Sequence, residues 1–348
     1  MSKHQLHIML LLDSRNFGGI ETHVANLANG LAADGHGVTV VLMNNYGKHP
    51  VFESGAIPNV NLCKLNGRVL SFYQLLKHIP CDLVHTHGYK AGILGRIVCR
   101  LMRKPVVSTF HAGEKGSLKM QCYRWLDICS AGLGKSISVS QEIANALSGK
   151  SSLIQNFVEP VAQEYNHQRQ HQIAFVGRLS IEKGPDIFSN VAKQIPDGLF
   201  TMYGDGPMYD ELLSEKPENI TMMGQVASMS DYWTDIKLLC ITSRAEGLPL
   251  VALEAMSRGI PVVSFEIGGL PSLIKHNTNG WVVQEHSAIA FASQLKQVLC
   301  LKPGHLNLLS NNAKQVIRDK FSTSAVLPQI YRVYQHAIGE INKGVGHV

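Results

Sequence analysis

The sequence predicts an α/β protein of two doubly wound, Rossmann-like domains, and three observations carry that expectation. The chain has 348 residues, and at roughly 150 residues per domain this length fits two domains, with one large barrel as the competing reading. Short β-branched runs alternate with helix-periodic segments, the pattern of parallel strands joined by crossover helices. A polar stretch from Gln163 to Gln172 interrupts the alternation, and a fresh α/β unit opens directly after it. That stretch lacks periodicity and reads as an interdomain linker. Hydrophobic residues make up 45% and charged residues 17% of the chain, which excludes a disordered polypeptide.

In the first half, strands are expected at 6–12, 38–43, 83–85, 105–109 and 136–139. The first runs into Asn16-Phe17-Gly18-Gly19, and a helix opens near Glu21, with Val24, Leu27, Ala28 and Leu31 on one apolar face. Gly35 and Gly37 end that helix before the next strand. In the second half, strands are expected at 173–176, 199–203, 220–223, 238–241, 261–264 and 281–283. A last helix spans 324–341. The expected boundaries are 1–165 and 166–324, with the segment 325–348 returning to the first domain. Two such domains would face each other across a cleft, with ligands at the carboxyl ends of the strands.

Charge and cysteine usage narrow the function classes. Residues 1–165 carry 16 Lys and Arg against 10 Asp and Glu, whereas residues 166–348 carry 16 of each. The whole excess of +6 therefore sits in the first half, which suits an anionic partner. The seven cysteines form no C-x-x-C pair, so a disulfide framework or zinc site is not expected and a reducing cytoplasm is. The apolar run Ile8–Leu12 is too short for a signal-peptide core, and no run of 18 apolar residues spans a membrane.

The segment Ser243–Met256 is the strongest chemical signal. A buried strand ends in a loop bearing Glu246 and Gly247, and a helix starts near Pro249, continuing through Leu250 and Val251. Unpaired amides at that helix start could hold a diphosphate, with Leu248 in the approach. Glu246 and Glu254 could then grip hydroxyls at two points of a sugar nucleotide. The plain alternative makes Glu246 a partner of the helix dipole and Glu254 a solvated residue. Gly177–Gly184 follows the first strand of the second domain, where Arg178 and Lys183 could neutralise a departing diphosphate. Their plain alternative is a surface salt bridge with Glu182 or Asp186. Gly204-Asp205-Gly206-Pro207 ends another strand and would allow close approach of a ring or phosphate, or form a simple tight turn.

Taken in order, these segments resemble the retaining glycosyltransferases of family 4, which have the GT-B fold. The resemblance rests on G-R-L-x-x-x-K-G with Arg178 and Lys183, on G-D-G-P at 204–207, on the Glu246/Glu254 spacing, and on Gly268-Gly269 followed by Asn279-Gly280. In the first half it rests on Gly18-Gly19-x-Glu21, on Asp82-Leu83-Val84-His85-Thr86-His87, on Thr109-Phe110-His111, on Val139-Ser140 and on Gln155–Glu159. Pro271-Ser272 and Asn156-Phe157-Val158-Glu159 depart from the usual family pattern without removing a residue assigned to chemistry.

The resemblance implies roles. Arg178 and Lys183 bind the donor diphosphate, Glu246 contacts the donor sugar, Glu254 holds the ribose, Gly18 and Gly19 close over the phosphates and the acceptor, and His111 supports the reaction beside the transferred sugar. Backbone around Tyr203–Asp205 and Gly224-Gln225-Val226 is expected against the nucleobase. The family works without a metal, and this sequence has no Asp-x-Asp. His85 and His87 share a strand face, but without a carboxylate or Cys partner nearby in sequence no metal ligand is assigned to them. No cofactor is expected, because the nucleotide sugar is a substrate. A UDP-sugar is the favoured donor, and a hydroxyl of a lipid-linked or cell-surface glycan the acceptor, as in lipopolysaccharide, capsule or exopolysaccharide synthesis. A non-hydrolysing sugar-nucleotide epimerase and a catalytically silent sugar-nucleotide-binding scaffold are the alternatives; no nucleic-acid motif is present.

One further element concerns the membrane. Over 91–104, Arg96, Arg100 and Arg103 fall on one charged face, with Ile93, Leu94, Ile97, Val98 and Leu101 covering much of the rest. A solvated helix face is the plain reading. Peripheral attraction of the first domain to an anionic inner membrane face is the sharper one.

Overall fold

The computed structural model describes residues 5–14, 18–47, 49, 52–53, 57–111, 118–161 and 171–345. Asn16, Phe17, Lys115 and residues 163–170 of the expected linker lie outside these. The chain divides into two compact units: Met1–Phe157 with Thr323–Val348, and Val158–Ser322. The first division thus falls ahead of residue 165. Val158 belongs to the second unit because its amide donates to the Phe321 carbonyl.

The first unit contains β1 (His7–Leu12), α1 (Gly19–Ala33), β2 (Gly37–Leu42), β3 (Val60–Lys64), α2 (Val69–His78), β4 (Leu83–His87), α3 (Tyr89–Leu101), β5 (Val106–Phe110), α4 (Leu118–Cys129), β6 (Lys135–Ser138), α5 (Gln141–Ala146) and β7 (Ser151–Leu153). The strands form one parallel sheet in the order β3-β2-β1-β4-β5-β6-β7. The near-continuous Ile, Leu and Val of β1 and β2 suit strands covered on both faces. The order reverses between β1 and β4, so this unit's topological switch point lies at their carboxyl ends. The final helix, Thr323–Val345, lays Val326, Leu327, Ile330, Val333 and Tyr334 into the core that holds Val24, Leu27 and Leu31 of α1.

The second unit contains β8 (Gln172–Val176), α6 (Pro185–Lys193), β9 (Phe200–Tyr203), α7 (Tyr209–Glu215), β10 (Ile220–Gly224), β11 (Ile236–Ile241), α8 (Leu250–Ser257), β12 (Val262–Phe265), α9 (Leu270–Leu273), β13 (Trp281–Val283), α10 (Ala288–Leu299) and α11 (Pro303–Val316). Its parallel sheet has the order β10-β9-β8-β11-β12-β13. The switch point here is between β8 and β11, and their carboxyl ends feed the loops that carry Lys183 and Glu246.

The structure corrects the sequence at three points. Strands β3 and β7 were not expected; both are sheet edges, part-exposed along their length. The helix α8 starts at Leu250, with Pro249 as the extended residue before it rather than inside the first turn. The charged face on 91–104 does not exist as expected, because Arg96 is only 1% exposed. Its Nη2 donates to Asp127 Oδ1 at 2.5 Å, to the Asp127 carbonyl at 2.9 Å and to Ser130 Oγ at 2.7 Å. Arg103 lies past the helix end with φ +53°. Helical spacing puts Arg96 and Arg100 on one side, but α4 covers the first and leaves the second in water.

Candidate active site

The donor-type residues of the second unit come together at the carboxyl edge of its sheet. Lys183 ends a short 3₁₀ turn after β8, and its Nζ donates to both oxygens of Glu246 at 2.8 and 2.9 Å. Glu246 lies in the loop between β11 and α8, its side chain only 8% exposed against 31% for Lys183. Ser243 Oγ donates a third hydrogen bond to the carboxylate, at Oε1 and 2.8 Å. The expected alternative pairing of Lys183 with Asp186 is overturned: Asp186 takes the guanidinium of Arg244, at 2.6 and 2.8 Å. That guanidinium holds the Asp186 carboxyl below its ordinary range. Arg244 also donates its amide to the Glu182 carbonyl, and Thr242 Oγ1 donates to the Gly184 carbonyl. The two site loops are therefore tied by backbone as well as by the ion pair.

Close backbone packing fixes the rest of the loop set. At Gly268, with φ +52°, a Cβ would lie 1.9 Å from the Glu246 carbonyl oxygen. The Gly268-Gly269 turn therefore seats directly under Glu246, and Gly269 donates its amide to the Gly247 carbonyl at 2.6 Å. At Gly204, with φ +139°, a Cβ would lie 1.9 Å from the Gly177 carbonyl oxygen. This contact places the Gly204-Asp205-Gly206 turn against the loop of Arg178. Leu179 donates to the Asp205 carbonyl, and Gly204 to the Gly224 carbonyl, so three loops share one edge. Arg178, Asp205 and Gln225 are exposed there, and Val226 is half-buried.

Leu248, Pro249 and Leu250 are buried and Val251 is half-buried, so the approach to α8 is apolar. No side chain caps that helix start, which leaves first-turn amides for an anion. Glu254 is not the solvated residue of the plain alternative. Its residue surface is part-exposed, yet its carboxyl is enclosed by protein, and burial pushes it up to about 7 against the pull of Arg258. A carboxyl near neutrality can both donate to and accept from a hydroxyl.

In the first unit, Gly18 precedes α1 in extended conformation, and both Gly18 and Gly19 reach the surface. Glu21 beneath them is buried; burial raises its carboxyl, offset by hydrogen bonds from Ser14 and the backbone of Gly18 and Glu21. His111 follows β5 at the carboxyl edge and is half-buried. Its Nε2 lies 3.4 Å from His87 Nδ1. Burial pushes His111 and His87 well below the ordinary imidazole range, with neighbouring histidines adding to the effect. Both rings are neutral at pH 7.

Comparison with known proteins decides the family. Residues 17–160 match the model of glycosyltransferase family 4, and residues 170–300 that of the glycosyl transferases group 1. The chain is a family 4 glycosyltransferase. Similar proteins include the Escherichia coli UDP-Gal:alpha-D-GlcNAc-diphosphoundecaprenol alpha-1,3-galactosyltransferase, 28% identical over 79% of this chain and 81% of that one. A Campylobacter jejuni alpha-1,4-N-acetyl-D-galactosaminyltransferase, whose named acceptor is a PP-undecaprenol-linked glycan, is 25% identical over 90% of this chain and 94% of its own. Among solved structures, Anabaena HepE with UDP and glucose superposes with a TM-score of 0.80 at 19% identity, over 95% of this chain and all of that one. The fold is GT-B.

Within this glycosyltransferase, sequence reasoning missed two sets of residues. Ser243 and Arg244 were read only as part of a motif, yet they orient Glu246 and lock the two loops. His23 was not singled out, although α1 brings its ring to 4.9 Å from that of His111 and 5.5 Å from that of His87. Its signal was available: on α1 it sits beside Val24 and Leu27, one residue off the apolar stripe and facing the sheet. His85, by contrast, is held by Tyr334 Oη and Thr109 Oγ1, each at 2.8 Å, and serves the packing of the final helix.

Proposed function

We propose that this glycosyltransferase moves a sugar from a UDP-sugar to a hydroxyl of a lipid-linked glycan, with retention of the anomeric configuration and without a catalytic metal or resident cofactor. The observation that carries this reading is the Lys183–Glu246 pair at the switch point, beside the uncapped start of α8. The named acceptors of the similar Escherichia coli and Campylobacter jejuni enzymes support the lipid-linked class, and the first of those names supports the UDP-sugar.

In the proposed step the acceptor oxygen attacks the anomeric carbon from the side on which the diphosphate leaves. The bond from that carbon to the diphosphate oxygen breaks, its electron pair stays on the phosphate, and this oxygen takes the acceptor proton as the new glycosidic bond forms. Lys183 and Arg178, with the first-turn amides of α8, stabilise the charge on the leaving diphosphate. One such preorganised donor is worth about 3–4 kcal/mol, or 10²–10³ in rate. Ser243 and Lys183 together hold Glu246 in the geometry that receives sugar hydroxyls. Glu254 binds the ribose, and Gly204–Gly206 with Gly224–Val226 line the base. His111 remains the first-unit residue assigned to the transferred sugar, where a neutral imidazole can accept a hydrogen bond.

Peripheral membrane binding belongs to the same proposal, on a smaller surface than the sequence implied. Arg100, Arg103 and Arg124 are exposed, and so are Ile97, Leu101, Met120 and Trp125 of α3 and α4. Trp125 is 64% and Leu101 76% exposed, the mix of aromatic, aliphatic and basic side chains that an anionic interface takes up. Each basic residue contributes about 1 kcal/mol there. No helix among the described residues is long and apolar enough to cross a membrane.

The test is a transfer reaction with UDP-sugars, EDTA and a diphosphate-lipid-linked acceptor, followed by assignment of the product anomer. Retained configuration in EDTA supports the reading; an inverted product or a strict need for a divalent cation overturns it.

A further inference from the structure

Three histidines of the first unit converge at the carboxyl edge of its sheet, and only His111 has a part in the proposed transfer. His23 comes from α1, His87 from the end of β4 and His111 from just beyond β5. One ring nitrogen of each lies within 4.8 Å of the others. We propose that His23, His87 and His111 form a binding site for a divalent transition-metal ion of the zinc class, with a fourth, open position at the exposed side of His111.

The geometry is close to what such an ion requires. With metal–nitrogen distances of about 2.0–2.1 Å, the ligand atoms of a tetrahedral site stand roughly 3.4 Å apart. His87 Nδ1 and His111 Nε2 are already at 3.4 Å. The third nitrogen would be brought in by side-chain rotation of His23, whose ring packs against His87, His111 and Phe157.

The hydrogen bonding points the same way. His87 Nε2 and both ring nitrogens of His23 are buried without a well-formed hydrogen bond. The Asn156 side chain faces His23 and favours its charged form, but burial dominates and leaves the ring at about 4. Buried polar atoms normally find partners, and an unsatisfied one costs about 1–3 kcal/mol. Coordination through His87 Nδ1, His111 Nε2 and one nitrogen of His23 would give that His23 nitrogen the partner it lacks. Neutral imidazoles are also the form a metal binds, each ring then carrying its proton on the nitrogen that does not ligate.

The neighbours limit the ligand set. His85 is only 4.3 Å from His87 between ring centroids, but both its nitrogens are taken by Tyr334 and Thr109. With three neutral ligands and no thiolate or carboxylate in the group, the site favours zinc, nickel or copper over magnesium or calcium. The ion would occupy the lone pair of His111, so on the proposed role of that residue it inhibits transfer rather than assisting it.

The test is a titration of the full chain with Co²⁺, read by visible absorption, and with Zn²⁺, read by competition with a chromophoric chelator. One equivalent is expected to bind, with the visible bands of tetrahedral cobalt and without the thiolate charge-transfer band that Cys122, Cys129 or Cys300 would give. His23→Gln and His111→Gln are each expected to weaken binding at least tenfold, and His85→Gln to leave it within about twofold. Should His23→Gln fail to fold, His111→Gln alone carries the test. Absence of a one-to-one complex, or equal binding by the wild type and His111→Gln, overturns the site. Neither readout depends on transfer, so failure here and failure of the glycosyltransferase reading are separable.

Discussion

The two units use the same parallel architecture but equip the carboxyl edges of their sheets with opposite chemistry. The second unit presents charge in pairs: Lys183 with Glu246 and Arg244 with Asp186, beside a helix start that adds partial positive charge. The first presents neutral rings, buried at His23 and His87 and half-buried at His111. The difference follows from what each must hold. On the proposed roles, a diphosphate is gripped by positive charge. A neutral imidazole can instead accept a hydrogen bond or bind a metal, and only while burial keeps it uncharged.

The largest expected effect breaks the charged edge. Lys183→Ala should reduce transfer by 10²–10³ or more while the melting temperature stays within a few degrees, since the lysine touches a loop and not the core. Glu246→Gln tests the partner, and near-normal turnover in both variants would contradict the site. Breaking a pair that is buried for structure should do the reverse. Arg96→Met strands the Asp127 carboxylate among apolar side chains and should destabilise the first unit by about 3–5 kcal/mol. The double variant Arg96→Met/Asp127→Leu should recover most of that in denaturant unfolding, because no buried charge is left.

The pH dependence sharpens the comparison, because the two edges respond with opposite sign. Glu254 rises from its ordinary 4.5 to about 7 in the folded state. Its contribution to stability is complete below pH 4.5, declines as pH rises to about 7, and is level above that. By linkage the loss is at most about 3 kcal/mol. The thermal advantage of Glu254→Gln over the wild type should therefore grow between pH 5 and 8. His23 falls from 6.5 to about 4, and burial lowers His87 and His111 as well. Their contribution is complete above pH 6.5 and is lost as pH falls toward 4. Hydrogen exchange should then show the amides around His23, His87 and His111 loosening from pH 7 to 5 and those around Glu254 from pH 5 to 8. Parallel behaviour of the two regions would contradict this assignment. The smallest effect concerns the membrane: Trp125→Ala should weaken binding to anionic vesicles a few-fold, and equal sedimentation with neutral vesicles would remove the docking proposal.

Much of this was legible in the sequence where residues act near their own position in the chain. The alternation of β-branched runs and amphipathic segments gave the central strands, because strands such as His7–Leu12 and Gly37–Leu42 are covered on both faces and read as near-continuous apolar runs. It missed Val60–Lys64 and Ser151–Leu153, edge strands whose pairing comes from neighbours and not from their own side chains. The donor-type loops were legible because glycine and charge recur at fixed offsets from strand ends. What stayed hidden were the partnerships made across the fold. Spacing alone put Arg96 on a solvated face, whereas α4 supplies Asp127 31 residues later. Spacing likewise offered Asp186 to Lys183, whereas Arg244, 58 residues on, takes it. His23 joined no motif because its partners lie on two other elements.

The most direct measurement of the central claim is a calorimetric titration of UDP into the wild-type chain and Lys183→Ala, both in EDTA. One-to-one binding by the wild type, weakened at least tenfold by the substitution, is the predicted result. No binding by the wild type, or equal affinity in the two proteins, would contradict a metal-independent diphosphate site at Lys183.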